Sequence, residues 1–230
     1  MRTTGGRPDL LVAVVGTATD VGKTWATCVV ATQARSRGLR VAARKPAQSF
    51  DADRRGTPLQ PTDADQLAAA TGEEATTICP PHRWYPVAMA PPMAADALGR
   101  DPLLLDDLIA ELRWPPDTQL GFVETAGGVR SPLTHDADSA TLVHRLTPDL
   151  TFVVADAELG TINATRSAIE ALRPLPAVVL LNRYDPGQDL HRRNRQWLEE
   201  RDHLTVVTDP FDIPGLCSRI GDRGVNPFIA

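Results

Sequence analysis

Cysteine is scarce: Cys28, Cys79 and Cys217 are the only three, far apart and odd in number. No CxxC spacing joins them, which argues against a zinc site and a disulfide framework and fits a reducing cytoplasm. Long apolar runs are missing as well. None approaches the ~18–20 residues of a spanning helix, so no membrane partner is expected. The opening stretch MRTTGGRPD lacks an apolar core and does not read as a signal peptide. Basic excess is absent too: 24 Lys and Arg face 29 Asp and Glu, for a net charge of −5. A general nucleic-acid binder needs a basic face, so no nucleic-acid partner is expected. Neither an internal repeat nor a low-complexity linker interrupts the chain. What remains is 230 residues, 42% hydrophobic and 23% charged, enough for one domain (1–230) with an ample core. Twenty prolines fall between elements more than inside them.

Short continuous apolar runs read as buried strands of a parallel sheet. Leu10–Val15 is the first, Leu39–Arg44 the second and Gly121–Glu124 the third. Leu150–Asp156, Ala177–Asn182 and Leu204–Thr208 follow. Helical stretches alternate with them: Thr24–Arg37, Asp63–Ala70, Asp101–Arg113, Ile162–Leu172 and Asp189–Arg201. Ile78–Pro92 reads as irregular. The alternation implies right-handed crossovers and an α/β fold: a doubly wound, mostly parallel sheet with helices on both faces. In such sheets ligands bind beyond the carboxyl ends of the strands. Polar, reactive residues follow the first five strands here: GTATDVGKT, KPAQS, ETAGG, DAELGT and NRYD.

Gly16–Thr24 lies between a strand and a helix, as a phosphate loop must, with one residue more than the standard G-x(4)-GK[ST] spacing, which makes the expected sheet one of P-loop NTPase type. Its amides and the helix N-terminus form an anion site. Lys23 would reach the β- and γ-phosphates, and the Thr24 hydroxyl would ligate Mg²⁺. Two carboxylates are then needed nearby. Glu124 at the end of the third strand and Asp63 (less readily Asp65) at a helix start are the candidates. The plainer reading of Asp63 is a helix N-cap, which its place before an apolar-periodic run also suits. His135, Asp136 and Asp138 read as a solvated turn. Lys45, held by Pro46 at the exit of the second strand, is placed to stabilise a transferring phosphoryl group; its plainer reading is a surface lysine. Ser49 is a weaker candidate for a substrate amine or carboxylate. Trp25, directly after the loop, reads as core packing more than base stacking.

Taken in order, these motifs resemble dethiobiotin synthetase over nearly the whole chain, Leu10 to about Pro214. GTATDVGKT matches that family's phosphate loop, Lys45-Pro46-Ala-Gln-Ser49 its KP-x-x-S, and Thr62-Asp63-Ala64 its helix start. Val123-Glu124-Thr125-Ala126-Gly127-Gly128 with Pro132-Leu133 matches VEGAGG-x-x-x-PL. Leu159-Gly160-Thr161-Ile162-Asn163 matches LG-x-IN, and Asn182 matches the asparagine after the fifth strand. The resemblance implies an ATP- and Mg²⁺-dependent enzyme that carboxylates 7,8-diaminononanoate with CO₂ and closes the ureido ring. It implies catalytic roles for Lys45 and Lys23, and Mg²⁺ held by Thr24, Asp63 and Glu124. ATP would meet Asp20, Val21, Gly22, Lys23, Thr24, Trp25 and Glu124. Asn182 with Arg183, and Pro210, Phe211 and Asp212, would border the adenine. The substrate would meet Thr19, Ser49, Thr125, Ala126, Gly127 and Gly128. A homodimer is implied, in which Leu159, Gly160, Thr161 and Asn163 of one subunit cap the substrate carboxylate held by the other.

Five positions depart from that pattern: Ala18 for aspartate, Phe50 for glycine, Thr125 for glycine, Glu158 for lysine and Ala164 for histidine. The last two fall on the carboxylate cap, and none removes an ATP or Mg²⁺ residue. A related P-loop amidoligase or kinase-like enzyme with another acceptor is the first alternative. A switch ATPase of the MinD/ParA type is the second, but its loop lysine is absent. Its basic amphipathic tail is also missing, since Gly221–Ala230 carries Gly and Pro.

Overall fold

The computed structural model describes residues 6–213, so Cys217 and the tail 221–230 lie outside the described residues. Six strands form a parallel sheet: β1 (Leu10–Gly16), β2 (Val41–Arg44), β5 (Leu120–Gly128), β6 (Leu150–Asp156), β7 (Ala177–Asn182) and β8 (Val206–Val207). Their spatial order is β2-β5-β1-β6-β7-β8. A separate parallel pair joins β3 (Gln48–Ser49) to β4 (Trp84–Tyr85). The helices are α1 (Lys23–Ser36), α2 (Asp63–Thr71), α3 (Ala75–Ile78), α4 (Pro91–Ala97), α5 (Leu105–Glu111), α6 (Ser139–Leu146), α7 (Thr161–Leu172) and α8 (Asp189–Glu200).

Continuous apolar strands follow from burial on both faces. Successive side chains of a strand point to opposite faces. Leu10, Val12 and Val14 join the core that holds Ala26 and Val30 of α1 and Leu67 of α2. Ala13 and Val15 pack with Val143, Ala168 and Leu172 on the other side, and Leu11 with Ala94, Ala95 and Leu108. Gly121 has to be glycine: a Cβ there would meet Pro8 Cγ at 2.3 Å and Trp114 Cζ3 at 2.9 Å.

Three expectations are corrected. Gly121–Glu124 is only the front of β5, which runs on through Gly128 because Gly16 pairs with Gly128 across the sheet. Glu124 therefore lies inside the strand. Ile78–Pro92 is not wholly irregular: it carries a 3-10 turn at Pro81–Arg83, β4 and the start of α4. Trp25 is not core but 50% exposed. The buried positions of α1 are Lys23, Ala26, Thr27, Val30 and Ala31, so position 25 falls on the outer face.

The sheet edge at β2 is closed by side chain and loop. The Ala43 N–H donates to Glu73 Oε2 at 2.9 Å, and the Lys45 N–H donates to the Ile78 carbonyl at 2.9 Å. Arg44 holds the same Glu73 carboxylate through its other oxygen, at 2.8 Å.

Candidate active site at the exits of β1, β2 and β5

The loop after β1 turns on Gly22, whose φ is 95°. L-residues avoid that region, and a Cβ there would lie 2.1 Å from Asn182 Nδ2. Asn182 donates through Nδ2 to the Val21 carbonyl at 2.8 Å, while its Oδ1 accepts the Arg183 N–H at 2.9 Å. Lys23 reaches back across the loop to the Ala18 carbonyl at 3.3 Å. Burial, and then the charge of Lys45, pull the Lys23 pKa down to about 8.

Beside the loop stands a charged cluster. Lys45 Nζ lies 2.6 Å from Asp63 Oδ2, 2.8 Å from Glu124 Oε1 and 3.3 Å from the Thr125 carbonyl. With a side chain only 3% exposed, Lys45 is not the surface lysine of the plainer reading. Burial alone would lower its pKa, but the charges of Asp63 and Glu124 outweigh this and hold it above the ordinary value. In return Lys45 keeps the Asp63 carboxyl below the usual carboxylate range. Thr27 donates to Glu124 Oε2 at 3.0 Å, fixing the second oxygen.

Asp63 is free for this cluster because the helix cap is made by others. Thr62 is the N-cap of α2: its Oγ1 accepts the Asp65 N–H at 3.2 Å, and Asp65 Oδ2 accepts the Thr62 N–H at 2.8 Å. This reciprocal box satisfies the Thr62 and Asp65 N–H groups, leaving the Asp63 carboxylate pointing at Lys45 and Thr24.

The donor set suits Mg²⁺. The Thr24 oxygen lies 2.9 Å from Asp63 Oδ1 and 2.7 Å from Glu124 Oε1. A hydroxyl has one proton, so one of these oxygen pairs meets without a hydrogen between them. Hard oxygens gathered so closely are what a small divalent cation that keeps its waters draws together. Among the described residues no group of three His, Cys, Asp or Glu side chains could hold a metal by itself. His135, Asp136 and Asp138 serve structure instead: Leu103 N–H donates to His135 Nδ1, Leu105 N–H to Asp136, and Asp138 N-caps α6.

A cleft of about 650 Å³ opens over this cluster. It is bordered by Thr19, Asp20, Gly22, Lys23, Thr24, Trp25, Lys45, Ser49, Asp63, Ala126, Gly127 and Arg183, all singled out from the sequence. Ser49 is already engaged, donating to the Met89 carbonyl at 2.5 Å. Val21, Glu124, Thr125, Gly128 and Asn182 stand behind the lining; Thr125 is fully buried and meets the cluster only through its carbonyl. Leu159, Gly160, Thr161 and Asn163 sit at the start of α7, outside the cleft, with Leu159 87% exposed. Pro210, Phe211 and Asp212 form a 3-10 turn that also lies outside it. Phe50 packs with its ring nearly perpendicular to that of Trp84 and borders an adjoining cleft of about 330 Å³.

Residues missed from the sequence are Gln48, Gln66, Ala88–Pro91, Ser131 and Pro132. Gln48 and Pro132 sat inside quoted motifs. Ala88–Pro91 belongs to the proline-rich stretch, and its only signal was the helix that proline at a first turn favours.

A parallel sheet with a glycine-turned loop at the exit of β1, and a lysine–carboxylate cluster at the neighbouring exits, defines the class of P-loop nucleotide-binding proteins. A family profile described as an AAA domain matches residues 11–209. The ATP-dependent dethiobiotin synthetase BioD of Caulobacter vibrioides (strain NA1000 / CB15N) is 41% identical over 70% of this chain and 72% of its own. That of Anaeromyxobacter sp. (strain Fw109-5) is 39% identical over 73% and 74%, and that of Haloferax mediterranei 36% over 86% and 82%. Among solved structures, the signal recognition particle receptor FtsY of Elizabethkingia anophelis in complex with GDP superposes with a TM-score of 0.50 and 16% identity. It covers 90% of this chain and 58% of that one, a likeness of fold alone. The chain belongs to the dethiobiotin synthetase family.

Proposed function

We propose that the protein makes dethiobiotin from 7,8-diaminononanoate, CO₂ and ATP. The observation that carries this reading is the Lys45–Asp63–Glu124–Thr24 cluster, set against Lys23 at the floor of the cleft. One substrate amine takes up CO₂ as a carbamate and loses a proton. A carbamate oxygen then attacks the γ-phosphorus, and ADP leaves. The second amine attacks the carbonyl carbon of the mixed anhydride, closing the ring and releasing phosphate. Little acid–base chemistry is asked of the side chains; positioning and charge stabilisation carry the rate. Lys23 and Lys45 sit where negative charge spreads over the transferring phosphoryl group. Thr24, Asp63 and Glu124 are the residues that would hold Mg²⁺, which when bound neutralises the β- and γ-phosphate oxygens. Thr19, Ser49 and the Ala126–Gly127 backbone border the space left for the acceptor.

The exposed Leu159 turn, with the N-terminal amides of α7 behind it, supports a homodimer in which this turn reaches a partner's acceptor site. A cytoplasmic setting accords with the free Cys28 and Cys79. Among the described residues no helix is long and apolar enough to cross a membrane. The second reading keeps the ATP site and changes the acceptor; it rests on Glu158, an exposed acid in the turn meant for a carboxylate. Phosphate release from Mg-ATP and bicarbonate, with and without 7,8-diaminononanoate, separates the two. A folded, ATP-binding protein showing no diamine-dependent release would leave only the second.

A further inference from the structure

Arg183 closes β7 with φ 57° and holds two partners at once. Nη2 donates to the Asp20 carbonyl at 2.7 Å, and Nη1 to Asp156 Oδ2 at 2.6 Å. Asn182 next to it donates to the Val21 carbonyl. Two consecutive carbonyls of the phosphate loop are thus pinned from the same strand end. Both peptide units are trans, and in a trans peptide the C=O and the N–H point in opposite directions. Pinning the Asp20 and Val21 carbonyls toward β7 aims the Val21 and Gly22 N–H groups the other way, into the loop. Such a run of inward amides is an anion nest.

We infer that Arg183 is a positioning residue for phosphate: through the Asp20 carbonyl it presets the loop amides, and Asp156 in turn fixes the guanidinium. This rests on the reading of the loop as the nucleotide site, and it departs from a role for Arg183 against the adenine. Asp156 lies opposite Asn182 in the sheet register, and its Oδ1 also accepts the Glu158 N–H at 3.2 Å, so the carboxylate is anchored on both sides.

Inorganic tripolyphosphate, which has no base, separates the two roles. Binding of Mg-ATP and of magnesium tripolyphosphate to the full chain is measured by titration calorimetry for wild type, Arg183→Ala, Arg183→Lys, Asp156→Asn and Arg183→Ala/Asp156→Asn. Arg183→Ala is expected to weaken both ligands by the same factor, about tenfold, the scale of one lost positioning hydrogen bond. Asp156→Asn should weaken both by less, and the double variant should match Arg183→Ala, because the two act as one unit. Arg183→Lys, able to reach only one partner, should fall between. Weaker ATP with unchanged tripolyphosphate would show a base contact and overturn the inference. So would unchanged binding of both, or additive losses, in variants whose melting curves show them folded. Wild-type protein that bound neither ligand would overturn the nucleotide reading itself, and this inference with it.

Discussion

Replacing Lys45 by alanine tests the charge balance of the site most directly. The ammonium lies 2.6 Å from one carboxylate and 2.8 Å from another, with its own side chain 3% exposed. Removing one partner of a buried ion pair costs about 3–5 kcal/mol, because the charge left behind has lost its hydration. Two features move the figure to the lower end. Asp63 is 37% exposed and regains water, and Glu124 keeps the Thr24 and Thr27 hydroxyls. About 3 kcal/mol remains, which lowers the melting temperature of a domain this size by roughly 6–12 °C. Mg²⁺ should raise the melting temperature of the variant more than that of wild type, since a divalent cation supplies the positive charge that alanine removes. Nucleotide affinity should change little, because Lys23 and the loop amides are untouched, while diamine-dependent phosphate release should disappear. Differential scanning calorimetry with and without Mg²⁺, titration with ATP and a phosphate-release assay read the three outcomes. An unshifted melting temperature together with wild-type turnover would refute the reasoning, for then Lys45 neither balances the carboxylates nor faces the reaction.

Gly22→Ala forces a side chain into φ 95° and onto the Asn182 amide, so a loss of about 2–3 kcal/mol and of ATP binding is expected from chemical denaturation and calorimetry. Thr62→Ala removes the cap of α2 at a cost of about 1 kcal/mol; because Asp63 rides on that first turn, turnover should fall while ATP affinity holds. Gly121→Ala should destabilise the fold through Pro8 and Trp114 and leave the specific activity of the folded fraction unchanged, a comparison of melting curves with turnover per folded molecule. Burial pushes the Cys28 thiol from 9.0 up to about 12. Its thiolate at pH 8 is then about a thousandfold scarcer, and iodoacetamide labelling followed by peptide mass spectrometry should find it slow and rising about tenfold per pH unit.

The sheet was legible because two-sided burial writes each strand as an unbroken apolar run, and because each exit carried polar residues that had no packing task. The far half of β5 was not. Its glycines have no side chains to show a period, and only the pairing of Gly16 with Gly128 makes that stretch a strand. Short elements such as α3, β3 and β4 are held by tertiary contacts that a local pattern does not encode. Trp25 could have been placed correctly, since Ala26, Val30 and Ala31 already marked the inner face of α1. The choice between Asp63 as cap and Asp63 as ligand turned on Thr62 and Asp65, a capping box whose Thr-x-x-Asp spacing carries aspartate in place of the usual Glu or Gln. Gln48 shows the limit most plainly. Its Oε1 accepts the Ala64 N–H at 3.0 Å and so ties β3 to α2, a contact no sequence spacing announces.

The closed edge at β2 has a consequence for behaviour in solution. An outer strand with free N–H groups invites a second chain to add to the sheet, the first step of ordered aggregation. Here the outward donors of Ala43 and Lys45 are already taken by Glu73 and Ile78. Glu73 at that edge is a gatekeeper against self-templating growth, and its carboxylate is held by Arg44, the residue next to the lysine on which the chemistry depends. Any change that loosens Glu73 would therefore invite clumping and misplace Lys45 together, so loss of solubility and loss of activity should travel as one defect.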